Sequence, residues 1–217
     1  MSAPFSVLMV CTGNICRSPL AERMLAHELD TRAGAWGARW RTGAEIVVAS
    51  AGTAAEAGEP MTAQTARLAD AYGVESGGHT ARQLTASMVA DADLVLALTR
   101  GHRRQIVSLH PRASRYTFAL PEFARVIGHL STHEVGGVDA LGPLDPSEGP
   151  AAVLSPLVAQ LALNRGLVPP PDDATVDDVV DPYQRDDETY ARAGEQIADS
   201  ITTAMHSLDR LLGCPAW

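Results

Sequence analysis

The sequence contains no lysine: all 17 of its basic residues are arginine, set against 26 acidic ones, for a formal net charge of −9. A nucleic-acid binder needs a basic face to neutralise phosphates, so this balance argues against one, and any anion site must be local. With alanine abundant, the missing lysine reads as compositional bias. Cysteine is also scarce. Cys11, Cys16 and Cys214 are odd in number, sit at the two ends of the chain and show no metal-type pairing, which argues against a disulfide framework and for a reducing compartment. Long apolar runs are missing, since stretches such as 7–10 and 94–98 are far too short to cross a bilayer. No basic region precedes the first apolar run and no small-residue cleavage site follows it. A cytoplasmic protein with no membrane or nucleic-acid partner is expected.

What is present suits one well-filled core: 217 residues, 46% hydrophobic and 20% charged. Residues 5–10 read as a first strand, broken by Gly13 and Asn14. From Pro19 the residues Leu20, Met24, Leu25 and Leu29 recur at helical spacing, with Ser18 expected as N-cap and Pro19 as first helical residue. Strands are expected at 45–50, 94–98 and 116–120, and helices at 61–71, 83–90 and 101–109. This alternation predicts an α/β fold, a doubly wound four-stranded parallel sheet with helices on both faces. Residues 125–178 break the rhythm with Gly136-Gly137, Pro143, Pro146, Pro150 and Pro169-Pro170-Pro171, and read as an insertion in a single domain spanning 1–217. Within it 151–164 suits a helix and the remainder reads as loop. A stripe of Ile197, Ile201, Met205, Leu208 and Leu212 predicts the closing helix.

The segment Cys11-Thr12-Gly13-Asn14-Ile15-Cys16-Arg17-Ser18 has the makings of an oxyanion site. Displacing a phosphate ester takes an ionised nucleophile, donors for the equatorial oxygens and a proton for the leaving group. Backbone N–H groups of a short loop turning into a helix form an anion cradle, aided by the helix's positive end. That field favours a thiolate at Cys11. Arg17 carries a planar fork able to grip two phosphate oxygens. Neither lysine nor the glycine spacing of a nucleotide-binding P-loop is present.

The loop, running Val10-Cys11-Thr12-Gly13-Asn14-Ile15-Cys16-Arg17-Ser18-Pro19, resembles that of the low-molecular-weight protein tyrosine phosphatases. The resemblance continues through Ser50-Ala51-Gly52-Thr53, Gly58-Glu59-Pro60, Gly78-His79-Thr80-Ala81-Arg82, Asp91-Ala92-Asp93-Leu94-Val95-Leu96 and Asp181-Pro182-Tyr183. It implies a phosphatase acting on a phosphorylated protein, with phosphotyrosine as its residue. Cys11 is implied as nucleophile, Arg17 as phosphate clamp, Thr12 to Ser18 as the phosphate-binding loop, and no cofactor or metal is needed. Asn14 is implied in a left-handed conformation, supported by Ser18, Ser50 and His79. For Cys16 two readings stand side by side: a reversible disulfide partner for Cys11, as the resemblance implies, or a small packing residue.

The proton donor is sought among Asp-Pro pairs. Asp181-Pro182 stands where the resemblance puts the acid and is preferred to Asp145-Pro146 in the insertion. Asp172, Asp173, Asp177, Asp178, Asp186, Asp187 and Glu188 crowd the same stretch, and like charges there would favour the protonated form of the acid. The family often walls its substrate ring with an aromatic residue after the second strand. Here that stretch is Thr53-Ala54-Ala55-Glu56-Ala57, leaving Tyr183 as the ring-stacking candidate or an ordinary surface tyrosine. Ile15 favours tyrosine, because the arginine-phosphate branch resembles the rest but carries threonine there. Two rivals are a non-catalytic phosphate-binding module and an arsenate reductase, the latter disfavoured because no cysteine pair lies between Arg17 and Cys214.

Overall fold

Strand β1 (Phe5–Cys11) lies inside a parallel sheet ordered β2-β1-β3-β4 in the computed structural model, which describes residues 4–37, 46–132 and 149–213. Its partners are β2 (Ile46–Gly52), β3 (Leu94–Ala97) and β4 (Thr117–Ala119). Side chains alternate between sheet faces with a period of two. Phe5, Val7, Met9 and Cys11 join one core, whereas Leu8 and Val10 join the other. Both faces are therefore covered, as a parallel sheet requires.

Helices α1 (Arg17–Gly37), α5 (Leu120–Thr132), α6 (Pro150–Asn164) and α7 (Asp187–Leu211) supply the first core, while the second packs beneath α3 (Ala86–Ala90) and α4 (Arg100–Leu109). Helix α2 (Ala63–Ala71) lies on the α7 side. Four helices start on capping oxygens: Thr62, Thr85, Thr99 and Asp186 each accept the backbone N–H three residues on.

Two sequence expectations change. Helix α1 begins at Arg17, so Ser18 and Pro19 lie in its first turn and Ser18 is not the cap. The Ser18 hydroxyl is drawn inward, to Cys11 and Asn14. Second, residues 120–132 form a continuous helix through Arg125, where a loop was expected. Pro121 is the second helical residue, a position where its missing N–H costs nothing.

Helix α6, within 125–178, sends Val153, Leu154, Leu157, Val158 and Leu161 into the core beside Phe5, Val7, Leu94 and Ile127. Arg165 stacks 4.0 Å over the Phe118 ring, pairs with Glu122 at 2.9 Å and donates to Thr117 O at 2.7 Å. Burial lowers its pKa to about 10, which leaves the guanidinium charged at neutral pH. Asp145-Pro146 and Cys214 lie outside the described residues.

Candidate active site

At the carboxyl end of β1, residues 12–16 cross to α1, at the edge where open parallel sheets present ligand sites. Five successive loop carbonyls are tied outward. Those of Cys11, Thr12, Gly13 and Ile15 accept from the N–H groups of Thr53, Ala54, Glu56 and Thr62 at 2.9–3.0 Å, and Asn14 O accepts from His79 Nε2 at 2.6 Å. A carbonyl cannot donate, so His79 carries its proton on Nε2. With the carbonyls turned out, the loop amides turn in, as an anion nest requires. The packing is close: a Cβ on Gly52 would stand 2.3 Å from Thr12 O.

Asn14 holds this shape with φ at +57°, the left-handed conformation that asparagine tolerates. Its Nδ2 donates to Ser18 Oγ at 2.9 Å and to Ser50 Oγ at 2.8 Å, while Oδ1 accepts from Arg82 N at 2.9 Å. These directions orient the hydroxyls. Ser18 Oγ accepts from Asn14, which leaves its own proton for Cys11 Sγ, 3.0 Å away. Ser50 likewise accepts from Asn14 and donates to Glu22 Oε2 at 2.5 Å. Cys11 Sγ also accepts from Asn14 N at 3.3 Å. Two donors converge on one buried sulfur, an arrangement that stabilises a thiolate.

Arg17, 4% exposed, closes the loop. Its Nη1 donates to Val179 O at 3.1 Å and Nη2 pairs with Asp181 Oδ2 at 2.8 Å, while Nε is buried with no hydrogen-bond partner among the described residues. The segment bearing Asp181 is anchored from both sides: Val179 N donates to Leu98 O at 2.9 Å and Val180 N to Gln196 Oε1 at 2.9 Å. Asp181, Tyr183, Ala54 and Glu56 line the same pocket as Cys11 and Arg17.

Two of the acids ahead of Asp181 are paired with arginine. Asp178 accepts from Arg100 N, Nε and Nη2, and Asp177 pairs with Arg125 at 2.9 Å. Burial works against the Asp178 carboxylate, yet the Arg100 hydrogen bonds outweigh it and hold its pKa below the usual value. Asp186 caps α7.

Cys16 points its thiol to Thr62 Oγ1 and Tyr190 Oη, each at 3.7 Å. Burial pushes its pKa up, and pushes that of Tyr190 up to about 12, so both are protonated at neutral pH.

His102, Glu22, Arg82 and Glu56 have no role in the sequence reading. His102 Nε2 meets Thr12 Oγ1 at 2.9 Å and Nδ1 meets Thr99 Oγ1 at 2.9 Å. Burial, reinforced by the Arg17 charge, lowers its pKa to about 4, so a neutral ring braces the residue next to Cys11.

A family model for low molecular weight phosphotyrosine protein phosphatases matches residues 6–135, from β1 through the end of α5. The chain belongs to that family. Among its phosphatase relatives, the probable low molecular weight protein-tyrosine-phosphatase EpsP of Ralstonia nicotianae is 33% identical over 117 residues, 54% of this chain and 71% of that protein. Etp of Escherichia coli K12 is 38% identical over 106 residues, 49% of this chain and 62% of its own length. The solved YwlE arginine phosphatase from Geobacillus stearothermophilus superposes with a TM-score of 0.60 at 24% identity, covering 95% of this chain and 94% of its own, a likeness of fold. The matched 6–135 carry the whole Cys11 loop, Ser50 and His79, whereas Asp181 and Tyr183 come to the pocket from beyond the match.

Proposed function

We propose that this phosphatase removes the phosphoryl group from phosphotyrosine in proteins through a covalent intermediate on Cys11. The observation that carries the reading is the convergence of Ser18 Oγ and Asn14 N on Cys11 Sγ, with Arg17 and Asp181 on the same pocket. In the first step the Cys11 thiolate attacks phosphorus, the bond to the tyrosine oxygen breaks, and Asp181 gives that oxygen its proton. In the second step water attacks the thiophosphate, the P–S bond breaks, and Asp181 takes a proton from the water. Inorganic phosphate leaves and the thiolate is restored.

The inward amides and Arg17 bind the equatorial oxygens, and they serve catalysis to the extent that they fit the transition state better than the bound ester. Among the described residues Arg17 Nε has no partner to give up. Tyr183, half exposed on the pocket wall, suits contact with an aryl ring, and Ile15 narrows the floor. Cys16, whose thiol meets Thr62 and Tyr190, keeps both of its readings, a disulfide partner for an oxidised Cys11 and a buried packing residue. The free thiols of Cys11 and Cys16 suit a reducing cytoplasm, and no described helix is long and apolar enough to cross a membrane. Residues 125–178 are read as an insertion into one phosphatase domain, tied down by Arg165 on Phe118 and by Asp178 on Arg100.

The test is hydrolysis of an aryl phosphate by the wild type and Cys11→Ser under reducing conditions, with arsenate reduction run in parallel. Turnover of the ester that vanishes in the variant supports the reading. Turnover of arsenate alone, or of neither, overturns it.

A further inference from the structure

Glu56 lines the Cys11 pocket together with Asp181 and Tyr183. Its position is fixed by the loop itself. Glu56 N donates to Gly13 O at 3.0 Å, Glu56 O accepts from Glu59 N at 3.0 Å, and its Cγ lies 3.7 Å from where a Cβ on Gly13 would stand. The stem therefore lies beside the loop, and the residue is exposed. Among the described residues Glu56 is in no ion pair. Arg17 is the only cation lining the pocket among the described residues, and it is paired with Asp181.

A carboxylate lining a site built for a phosphate dianion repels the ligand unless the substrate brings positive charge near it. A phosphotyrosine whose phosphate sits in the Cys11 loop brings its flanking residues toward the groups that line the pocket, Glu56 among them. Their charges then lie within a Debye length of it, about 10 Å at moderate salt. Building on the phosphotyrosine reading above, we propose that Glu56 is a specificity-determining residue that selects phosphotyrosine segments with arginine or lysine next to the phosphotyrosine. Acidic neighbours meet repulsion from Glu56 and Asp181 together. Rim charges act chiefly on encounter and binding, so the selection falls on KM more than on kcat and fades with salt.

The experiment measures phosphate release from three phosphotyrosine peptides that differ only in flanking arginine, glutamine or glutamate. A phosphoarginine peptide and an aryl phosphate are run beside them, at low and high salt, with the wild type, Glu56→Gln and Glu56→Arg. In the wild type kcat/KM for the arginine-flanked peptide exceeds that for the glutamate-flanked one about fivefold at low salt. The ratio falls toward one in Glu56→Gln and inverts in Glu56→Arg. The same ranking in all three proteins overturns the assignment, as does a wild type that prefers the phosphoarginine peptide. Release from the aryl phosphate with a flat peptide ranking contradicts the role of Glu56 alone, whereas no release from any substrate contradicts the phosphatase reading as well.

Discussion

Arg17 and Asp181, 164 positions apart in the chain, form an ion pair at 2.8 Å in which the arginine is buried and the carboxylate is 57% exposed. The pair ties the segment leading into α7 to the loop leaving β1. It also sets the carboxylate proposed as the proton donor beside the guanidinium proposed to bind the phosphoryl oxygens.

Replacing Asp181 by asparagine removes the proposed proton donor and leaves the loop in place. The expected result is a fall in kcat of about 10²–10³-fold, smaller for aryl phosphates whose leaving phenols are already acidic. Comparing kcat across phenols of graded acidity checks this. Equal losses for all of them would contradict the role.

Asn14 combines a left-handed backbone with hydrogen bonds to Ser18, Ser50 and Arg82. Asn14→Gly keeps the conformation and loses the bonds, whereas Asn14→Ala loses both. Urea unfolding is expected to show Asn14→Gly less stable than wild type by about 1–3 kcal/mol and Asn14→Ala by about 1 kcal/mol more. Both should turn over slowly, since Ser18 no longer has its hydroxyl directed at Cys11.

His102 predicts a stability loss in acid. Its pKa falls from 6.5 to about 4 on folding, so between those values the unfolded chain binds the extra proton. The stabilisation is complete above about pH 6.5 and is lost as pH falls toward 4, by up to about 3 kcal/mol. Unfolding measured at pH 7 and pH 4.5 should show this component in the wild type and not in His102→Gln. An unchanged pH dependence in the variant would contradict it.

Gly52→Ala drives a Cβ into Thr12 O, backbone against backbone, where no side chain can yield. A cost of more than about 3 kcal/mol, or failure to fold, is expected. Gly77→Ala, where nothing lies within 4 Å, serves as the tolerated control.

The parts of this molecule that were legible in the sequence are those whose signal is local. The Cys11 loop is contiguous, the strands are short apolar runs, and Asp181-Pro182-Tyr183 stands just ahead of the helical stripe of α7. Helix α5 escaped because Gly136-Gly137 and the prolines that follow led residues from 125 on to be read as loop, although Phe123, Val126, Ile127 and Leu130 recur at helical spacing. His102, Glu22, Arg82 and Glu56 escaped for a different reason. Their partners lie 28 to 90 positions away, and a buried histidine or a glutamate on a helix looks ordinary until the sheet brings Thr12 or Ser50 beside it. For the crowd of acids near Asp181, composition suggested repulsion. Arg100 and Arg125, each more than 50 positions from its carboxylate, supply the opposite charge.

The central claim is that Cys11 carries the phosphoryl group during turnover. The direct measurement is an acid quench of the enzyme turning over an aryl phosphate, followed by mass analysis of the peptide containing Cys11. One added phosphoryl group on that peptide, absent in Cys11→Ser, is the predicted result. Steady turnover with no such adduct, or wild-type rates in Cys11→Ser, would contradict it.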